Sequence, residues 1–336
     1  MSKAWKIVRT DRELEMQHVD ARLRATGAEL VLLADGVSEQ ELAREVTDAD
    51  LLLMCYTKIS RNVIENATRL KAIIKYGVGI DAIDIDAAHE RGIPVVNIPD
   101  YAEETVAEGA FALLIGLAKR FKPIQQAVHE QGWVWPEPRW LASDLAGKTL
   151  GLVGVGRIGK SMARMAGAFR MRVLGFDPHV LDMPAERFTE LGPMLDECDF
   201  VSLHCVLNAE TRGLIGEAEL RRMKRSAYLV NVSRGEIVDE AALLSALQEQ
   251  RIAGAALDVY GHEPLAKSGH SLSALYAMDN VLVSPHLTFY THEAMQRLEK
   301  QTLERCFEAL EGRLLTVKSR DPRLRTQLRG VRFDPA

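Results

Sequence analysis

The sequence predicts an α/β protein built from two doubly wound parallel sheets, and three observations carry that prediction. Short apolar segments alternate with helical segments over residues 1–100, and the same alternation resumes after residue 147. A glycine fingerprint lies between two strand-like runs in residues 149–177. At 336 residues, the chain is also too long for one typical domain.

The first hundred residues predict the smaller sheet. Strands are expected at residues 5–9, 29–33, 50–55, 70–75 and 93–96. Helices are expected at residues 13–26, 39–46, 61–68 and 84–91. Strands that alternate with helices form right-handed βαβ units, so the pattern predicts one parallel sheet with helices on its faces.

A long helix is predicted at residues 102–120, directly after Pro99. It is apolar almost all round, and such a helix must be buried on most of its sides. Two interpretations follow, a core helix beneath a sheet and a helix buried between two subunits.

The glycine fingerprint consists of Gly154, Gly156 and Gly159 in G-x-G-x-x-G spacing. A buried parallel strand is predicted before it at residues 149–153, and a helix after it at residues 161–169. A second strand at residues 172–176 ends in Asp177, which lies 18 residues after Gly159.

This spacing is typical of a dinucleotide site. The glycines permit a sharp turn, a close approach of backbone to a pyrophosphate, and tight packing of the helix on its strand. The helix N-terminus offers unpaired N–H groups and a partial positive charge to the phosphates. Because Asp177 can accept hydrogen bonds from both ribose hydroxyls and would repel a 2′-phosphate, the motif predicts NAD rather than NADP.

The remainder of the chain continues the alternation. Strands are expected at residues 200–205, 227–231, 254–257 and 281–283, and helices at residues 239–250 and 291–310. The last segment, residues 313–332, carries seven Lys and Arg residues. We expect a solvated tail there, and a contact with another subunit or with nucleic acid is the alternative.

Composition excludes several classes of protein. A net charge of −5 argues against binding of nucleic acid or of an anionic membrane surface. The first residues contain no apolar run typical of a signal peptide, and the apolar stretch at residues 106–118 is too short to span a bilayer. Four scattered cysteines predict neither a disulfide framework nor a metal site, so we expect a cytoplasmic protein without a metal.

Three later segments supply candidates for chemistry. A hydride-exchanging cofactor needs a proton donor or acceptor and a cation that holds an acidic substrate. Arg234 follows an apolar strand and precedes a glycine, which predicts that it projects from a strand end. Glu263 lies in a His-Glu-Pro segment and His286 in a Ser-Pro-His segment.

Together these motifs resemble the D-isomer-specific 2-hydroxyacid dehydrogenase family. The resemblance runs from the Tyr76-Gly77-Val78-Gly79 segment through the fingerprint to Ser284-Pro285-His286. It implies an NAD-dependent enzyme that transfers hydride between nicotinamide and C2 of a small 2-oxo or 2-hydroxy carboxylate. It implies that Arg234 holds the carboxylate and carbonyl, that His286 exchanges the proton, and that Glu263 stabilises the imidazolium.

The resemblance also implies the residues that bind small molecules. The expected cofactor contacts are Thr105, Gly154, Gly156, Arg157, Ile158, Gly159, Asp177, His204, Thr211, Val232, Ser233 and Asp258, with Asp258 as the partner of the nicotinamide carboxamide. The expected substrate contacts are Met54, Tyr56, Tyr76, Gly77, Val78, Gly79 and Phe289, with the glycine-loop amides on the substrate carboxylate.

The family further implies a domain layout. Residues 1–100 and 291–336 would form a flavodoxin-like substrate domain, and residues 101–290 a Rossmann NAD domain inserted into it. The cleft between the two domains would hold the substrate, and the helix at residues 102–120 would serve a homodimer interface.

Departures from the family pattern leave the substrate open. Met54 stands where phosphoglycerate dehydrogenases usually place an arginine near the substrate phosphate. This favours an unphosphorylated substrate with an apolar side chain near Met54, Tyr56 and Phe289. Two alternatives remain, a D-3-phosphoglycerate dehydrogenase-like enzyme and an NAD-sensing interaction protein like the C-terminal binding proteins.

Overall fold

A computed structural model describes residues 4–334, and these form two compact units. The first unit contains residues 4–102 and 291–334, and the second contains residues 103–290. Within the described residues, we find no helix that combines the length and the apolar character needed to cross a lipid bilayer.

The first unit is built on a five-stranded sheet. Its strands are β1 Lys6–Arg9, β2 Glu29–Leu32, β3 Leu51–Met54, β4 Ala72–Lys75 and β5 Val95–Asn97. The helices between them are α1 Gln17–Ala25, α2 Glu39–Val46, α3 Arg61–Asn66 and α4 Ile85–Glu90. All pairs are parallel, and the order β2-β1-β3-β4-β5 is that of a flavodoxin-like doubly wound sheet.

The second unit is built on a seven-stranded parallel sheet. Its strands are β6 Thr149–Val153, β7 Arg172–Phe176, β8 Glu186–Phe188, β9 Phe200–Leu203, β10 Tyr228–Asn231, β11 Gly254–Leu257 and β12 Val281–Val283. Its helices are α5 Glu103–Ala118, α6 Phe121–Gln131, α7 Arg157–Ala168, α8 Leu191–Glu197, α9 Glu217–Arg222 and α10 Glu240–Gln248. The order β12-β11-β10-β9-β6-β7-β8 is a Rossmann arrangement with one added strand.

Apolar clusters cover both faces of the second sheet. On one face, Ala110, Phe111 and Leu114 of α5 pack with Leu150 and Leu152 of β6. The structure therefore favours the core interpretation of the long apolar helix, since most of its apolar side chains are buried within this unit. The predicted class, two doubly wound parallel sheets, is confirmed.

Some local predictions were wrong. Helix α7 begins at Arg157, one turn before the predicted start, so the last glycine of the fingerprint lies inside the helix. Strand β8 was not predicted, because it is three residues long and mostly polar.

The end of the described chain returns to the first unit and is ordered. Helix α11 His292–Leu310 packs against α1 and β4, and it is followed by β13 Leu315–Val317, α12 Pro322–Arg325 and β14 Val331–Phe333. The prediction of a solvated tail was wrong, because Leu315, Val317 and Leu324 are buried. Its basic residues remain near the surface, where several pair with acids, as Lys318 does with Asp100.

Candidate active site

Glu263 and His286 form a hydrogen-bonded pair at the carboxyl edge of the second sheet. The His286 Nδ1 atom lies 2.8 Å from Glu263 Oε2. The other carboxylate oxygen of Glu263 accepts from the N–H of Tyr260 at 2.9 Å, which fixes the carboxylate. His286 has a backbone φ of 57°, a left-handed conformation that is uncommon for non-glycine residues.

The pKa of the Glu263 carboxyl is lowered. Burial alone would raise it, but the hydrogen bond and charge of His286, the Tyr260 N–H and the charge of Arg234 together outweigh burial. The carboxylate therefore stays ionised at neutral pH and stabilises a positive charge on the imidazole ring. The hydrogen bond at Nδ1 fixes the orientation of the His286 ring.

Arg234 is positioned by the end of β10. The buried Asn231 side chain accepts from the N–H of Ser233 at 3.1 Å and donates to the carbonyl of Arg234 at 2.9 Å. A Cβ at Gly235 would overlap the backbone of Tyr260, so only glycine lets this turn approach the segment that carries Glu263. Arg234 and Glu263 are thereby brought together.

Asp258 anchors the loop that carries His286. It is fully buried, and its carboxylate accepts from the N–H groups of Leu287 and Thr288 at 2.9 and 3.0 Å and from the Thr288 hydroxyl at 2.6 Å. Both carboxylate oxygens contact this loop and keep further lone pairs, so the role of Asp258 towards a nicotinamide carboxamide stays a prediction.

The fingerprint glycines have the geometry that a dinucleotide needs. Gly154 has a φ of 87°, and a Cβ there would lie 2.5 Å from the backbone nitrogen of Cys205. A Cβ at Gly159 would overlap the carbonyl oxygen of Gly154, whereas Gly156 faces open space. Arg157 and Ile158 open helix α7, which has no side-chain cap, so its first N–H groups are available to a phosphate.

Asp177 lies where β7 ends, next to the fingerprint. One carboxylate oxygen accepts from the N–H of Val155 at 2.8 Å. The other accepts from the N–H groups of His179 and Val180 at 2.9 and 3.1 Å. These bonds fix the carboxylate against the glycine turn, and both oxygens have further lone pairs for ribose hydroxyls.

The other expected cofactor contacts vary in character. His204 follows β9, its Nε2 lies 2.9 Å from the Ser202 hydroxyl, and burial lowers its pKa to about 4, so the ring is neutral at pH 7. Thr211 is part of an exposed turn, where its hydroxyl donates to the Val206 carbonyl at 2.6 Å. Three more expected contacts, Thr105 in α5 and Val232 and Ser233 after β10, are buried or half-buried.

In the first unit, the glycine loop after β4 has free backbone donors. The N–H groups of Val78 and Gly79 have no hydrogen-bond acceptor within residues 4–334. The N–H of Gly77 is already bonded to the Lys75 carbonyl at 3.0 Å. Of the three N–H groups predicted to bind the substrate carboxylate, those of Val78 and Gly79 are therefore available. The prediction for the N–H of Gly77 was wrong, because the Lys75 carbonyl already accepts from it.

Two predicted substrate contacts are corrected by burial. Met54 is the last residue of β3 and has no exposed surface, so its side chain is a core residue. Tyr76 is also fully buried, and its hydroxyl donates to the Thr10 carbonyl at 2.5 Å. Tyr56 is 42% exposed, while Phe289 is buried in the second unit with its ring 6.2 Å from that of His286.

Sequence reasoning missed Asp11. This buried carboxylate follows β1 and accepts from the N–H groups of Cys55, Tyr56 and Thr57 at 2.7, 3.1 and 3.0 Å and from the Thr57 hydroxyl at 2.8 Å. An acid at the carboxyl end of a predicted parallel strand was the available signal. No group of His, Cys, Asp and Glu side chains suited to a metal ion occurs in the part of the chain that the structure describes.

Comparisons with known proteins agree with this geometry. Residues 111–288 match the family model "D-isomer specific 2-hydroxyacid dehydrogenase, NAD binding domain". The glyoxylate reductase of Korarchaeum cryptofilum is 40% identical over 284 residues, which cover 82% of this chain and 84% of that protein.

Two further relatives extend the comparison. The D-3-phosphoglycerate dehydrogenase of Methanocaldococcus jannaschii is 38% identical over 290 residues, which cover 84% of this chain but only 54% of that longer protein. The solved structure of D-lactate dehydrogenase from Aquifex aeolicus, complexed with NAD and lactic acid, has a TM-score of 0.82 and 30% identity. That match covers 91% of this chain and 96% of the other.

Proposed function

Because this chain belongs to the D-isomer specific 2-hydroxyacid dehydrogenase family, we propose that Arg234, Glu263 and His286 are its catalytic residues. The family predicted from the motifs is confirmed, and the chain is an NAD-dependent oxidoreductase of 2-hydroxy acids. The observation that carries the assignment of residues is the 2.8 Å bond between His286 Nδ1 and Glu263 Oε2.

The pair and Arg234 perform a proton transfer coupled to hydride transfer. NAD, when bound, supplies or accepts the hydride. In the reductive direction, His286 donates a proton from Nε2 to the carbonyl oxygen, and Glu263 stabilises the imidazolium before this transfer. Arg234 offers two N–H donors in a fixed fork that suits a 2-oxo carboxylate. In the oxidative direction, neutral His286 accepts the hydroxyl proton.

The cofactor is held by the second unit. The glycine geometry fits a pyrophosphate, with Gly154, Gly156 and Gly159 in the turn and Arg157 and Ile158 at the start of the helix. We assign the ribose to Asp177, which favours NAD over NADP. The remaining assigned contacts are Thr105, His204, Thr211, Val232, Ser233 and Asp258.

The first unit is the substrate domain in this proposal. The free N–H groups of Val78 and Gly79 bind the substrate carboxylate, because two adjacent unpaired amides form a concave site for an anion. Tyr56, which is partly exposed, contributes to the substrate surface of the same unit. Within the second unit, we propose Phe289 as a substrate contact, because its ring lies 6.2 Å from that of His286.

A screen of the wild-type protein tests the function. NADH absorbance is followed with glyoxylate, hydroxypyruvate, pyruvate, and branched and aromatic 2-oxo acids, and NADPH is compared at matched concentrations. We expect turnover of at least one 2-oxo acid, a D-configured product, and faster reaction with NADH. Tight NADH binding without any turnover would instead favour the NAD-sensing interaction protein.

We also propose a homodimer and a cytoplasmic location. Trp133, Trp135 and Leu141 of the second unit are exposed, and Leu113 and Ile115 of α5 are only half-buried, so apolar side chains remain that a second copy would cover. Light scattering coupled to size exclusion distinguishes a dimer from a monomer. The four cysteines form no disulfide, which suits a reducing compartment.

A further inference from the structure

Lys75 differs from the other buried cations of this protein. In residues 4–334, three Lys or Arg residues are buried, Arg9 at 1% exposure, Lys75 at 5% and Arg305 at 7%. Arg9 pairs with Asp20 at 2.8 Å, and Arg305 pairs with Glu308 at 3.2 Å. Within the same residues, Lys75 has no carboxylate at salt-bridge distance. Because a buried charge is costly unless an opposite charge compensates it, an anion that reached Lys75 would be strongly stabilised there.

The ammonium group of Lys75 lies directly under the glycine loop. It donates to the carbonyl of Cys55 and lies 3.4 Å from the Cys55 sulfur and 5.4 Å from the centre of the Tyr56 ring. A Cβ at Gly77 would come within 3.0 Å of the Lys75 Nζ atom. The Cys55 carbonyl and sulfur accept from two of the three N–H donors of Lys75, and no carboxylate within residues 4–334 lies at salt-bridge distance from it.

The first unit therefore offers two places for negative charge at one sheet edge. The first is the pair of unpaired N–H groups at Val78 and Gly79, after β4. The second is the Lys75 ammonium on the β3 side of that loop, beside Cys55 and the partly exposed Tyr56. A substrate with a single carboxylate would satisfy the first and leave Lys75 without an anion.

We propose that Lys75 determines substrate specificity by binding a second anionic group of the substrate, a terminal carboxylate or a phosphate. The proposal rests on the proposed function, in which the amides of Val78 and Gly79 bind the first carboxylate. The preferred substrates are then dianionic 2-oxo acids rather than the apolar ones that the sequence favours. The cation that the sequence lacks at Met54 is supplied by Lys75, from the neighbouring strand.

Substrate pairs that differ in charge test the proposal. We measure kcat/KM for NADH-dependent reduction of glyoxylate, oxaloacetate, 2-oxoglutarate and 3-phosphohydroxypyruvate in the wild type, Lys75→Met and Lys75→Arg. For the preferred dianion, we expect K75M to lower kcat/KM by about 10- to 100-fold, because it removes one charge-assisted contact. With glyoxylate the change stays within about threefold, and K75R recovers most of the loss. A preference for 2-oxoglutarate or oxaloacetate indicates the carboxylate, and one for 3-phosphohydroxypyruvate indicates the phosphate.

Lys122→Met is the matched control. Lys122 is half-buried in the second unit and, like Lys75, donates to backbone carbonyls, those of Met278 and Val281 at 2.6 and 3.0 Å. We expect K122M to lower the melting temperature without changing the ratio of kcat/KM between dianionic and monoanionic substrates. Equal losses of kcat/KM for both charge classes in K75M would overturn the proposal.

A binding measurement separates this proposal from the proposed function. Malonate, a dianion that cannot be reduced at a 2-oxo group, is titrated against wild type and K75M while the melting temperature is followed, with acetate as the monoanionic control. We expect malonate to stabilise the wild type more than K75M, and acetate to affect the two alike. If no 2-oxo acid is reduced but this difference is found, the function is wrong and the anion site stands. Identical malonate shifts in the two proteins would refute the anion site.

Discussion

Asp11 in the first unit and Asp258 in the second have the same structural role, which is to hold a loop through hydrogen bonds to its backbone. Each is a buried carboxylate that follows a parallel strand and holds the loop after the adjacent strand. Asp11 accepts from three backbone N–H groups and the Thr57 hydroxyl, and Asp258 from two N–H groups and the Thr288 hydroxyl. A charged acceptor that serves several N–H donors makes strong hydrogen bonds and so fixes the position of an irregular loop.

The two loops differ in what they carry. The loop held by Asp258 follows β12 and contains His286, so its position decides where the proposed proton donor lies. The loop held by Asp11 begins at Cys55, whose carbonyl accepts from Lys75, so its position decides where an anion is bound. Loss of the first anchor should therefore appear in kcat, and loss of the second in KM.

Removal of the His286 side chain, which lies on the loop held by Asp258, should have the largest effect on activity. We expect His286→Ala to lower kcat by roughly two to four orders of magnitude, because the proton donor is lost, while the affinity for NADH changes little. Steady-state kinetics and NADH fluorescence titration measure the two quantities. His262→Ala is the control, since His262 is exposed in the same His-Glu-Pro segment. An H286A enzyme as fast as H262A would contradict the assignment.

Weakening the hydrogen bonds of Asp258 to its loop should have the next largest effect on activity. In Asp258→Asn, one oxygen becomes an NH₂ group that faces the N–H donors of the 287–288 loop. We expect kcat to fall by about 10- to 100-fold, because a displacement of His286 by about 1 Å is enough for a loss of that size. Asp239→Asn is the control, because Asp239 caps α10 and asparagine caps helices equally well. A change in KM alone would show that Asp258 does not position His286.

The equivalent change in the first unit should affect binding. We expect Asp11→Asn to raise KM by about tenfold and to leave kcat within about threefold, because only the loop beside Lys75 is loosened. Asn also tolerates the φ of 54° at this position, so the backbone is preserved. Substrate saturation curves measured beside those of D258N test the comparison directly. A fall in kcat equal to that of D258N would erase the distinction between the two anchors.

The contrast also explains what the sequence could predict. The alternation of strands and helices specified both sheets, and the spacing of fixed motifs located Arg234, Glu263 and His286, which the structure places on one sheet edge. The anchors and the buried cation have no such spacing. Asp11 accepts hydrogen bonds from residues that are 44 to 46 positions away in the chain. Lys75 can be recognised only from the structure, because no carboxylate is among its hydrogen-bond partners. These interactions depend on how distant segments pack together, so no local sequence pattern predicts them.

The smallest effect concerns the acid stability of the second unit. Because the folded-state pKa of Glu263 lies below its ordinary value of 4.5, its ionised form stabilises the folded protein above that pH. This contribution is lost as the pH falls below about 4.5 and through the folded-state pKa. In Glu263→Gln the group cannot titrate, so the free energy of unfolding should fall less between pH 6 and pH 4 than in the wild type.

We expect a difference below about 1 kcal/mol, the range of a partly exposed ion pair. Urea unfolding at both pH values measures it, with Glu249→Gln as an exposed control. A wild-type loss no greater than that of E263Q would mean that the His286 pair does not hold Glu263 ionised.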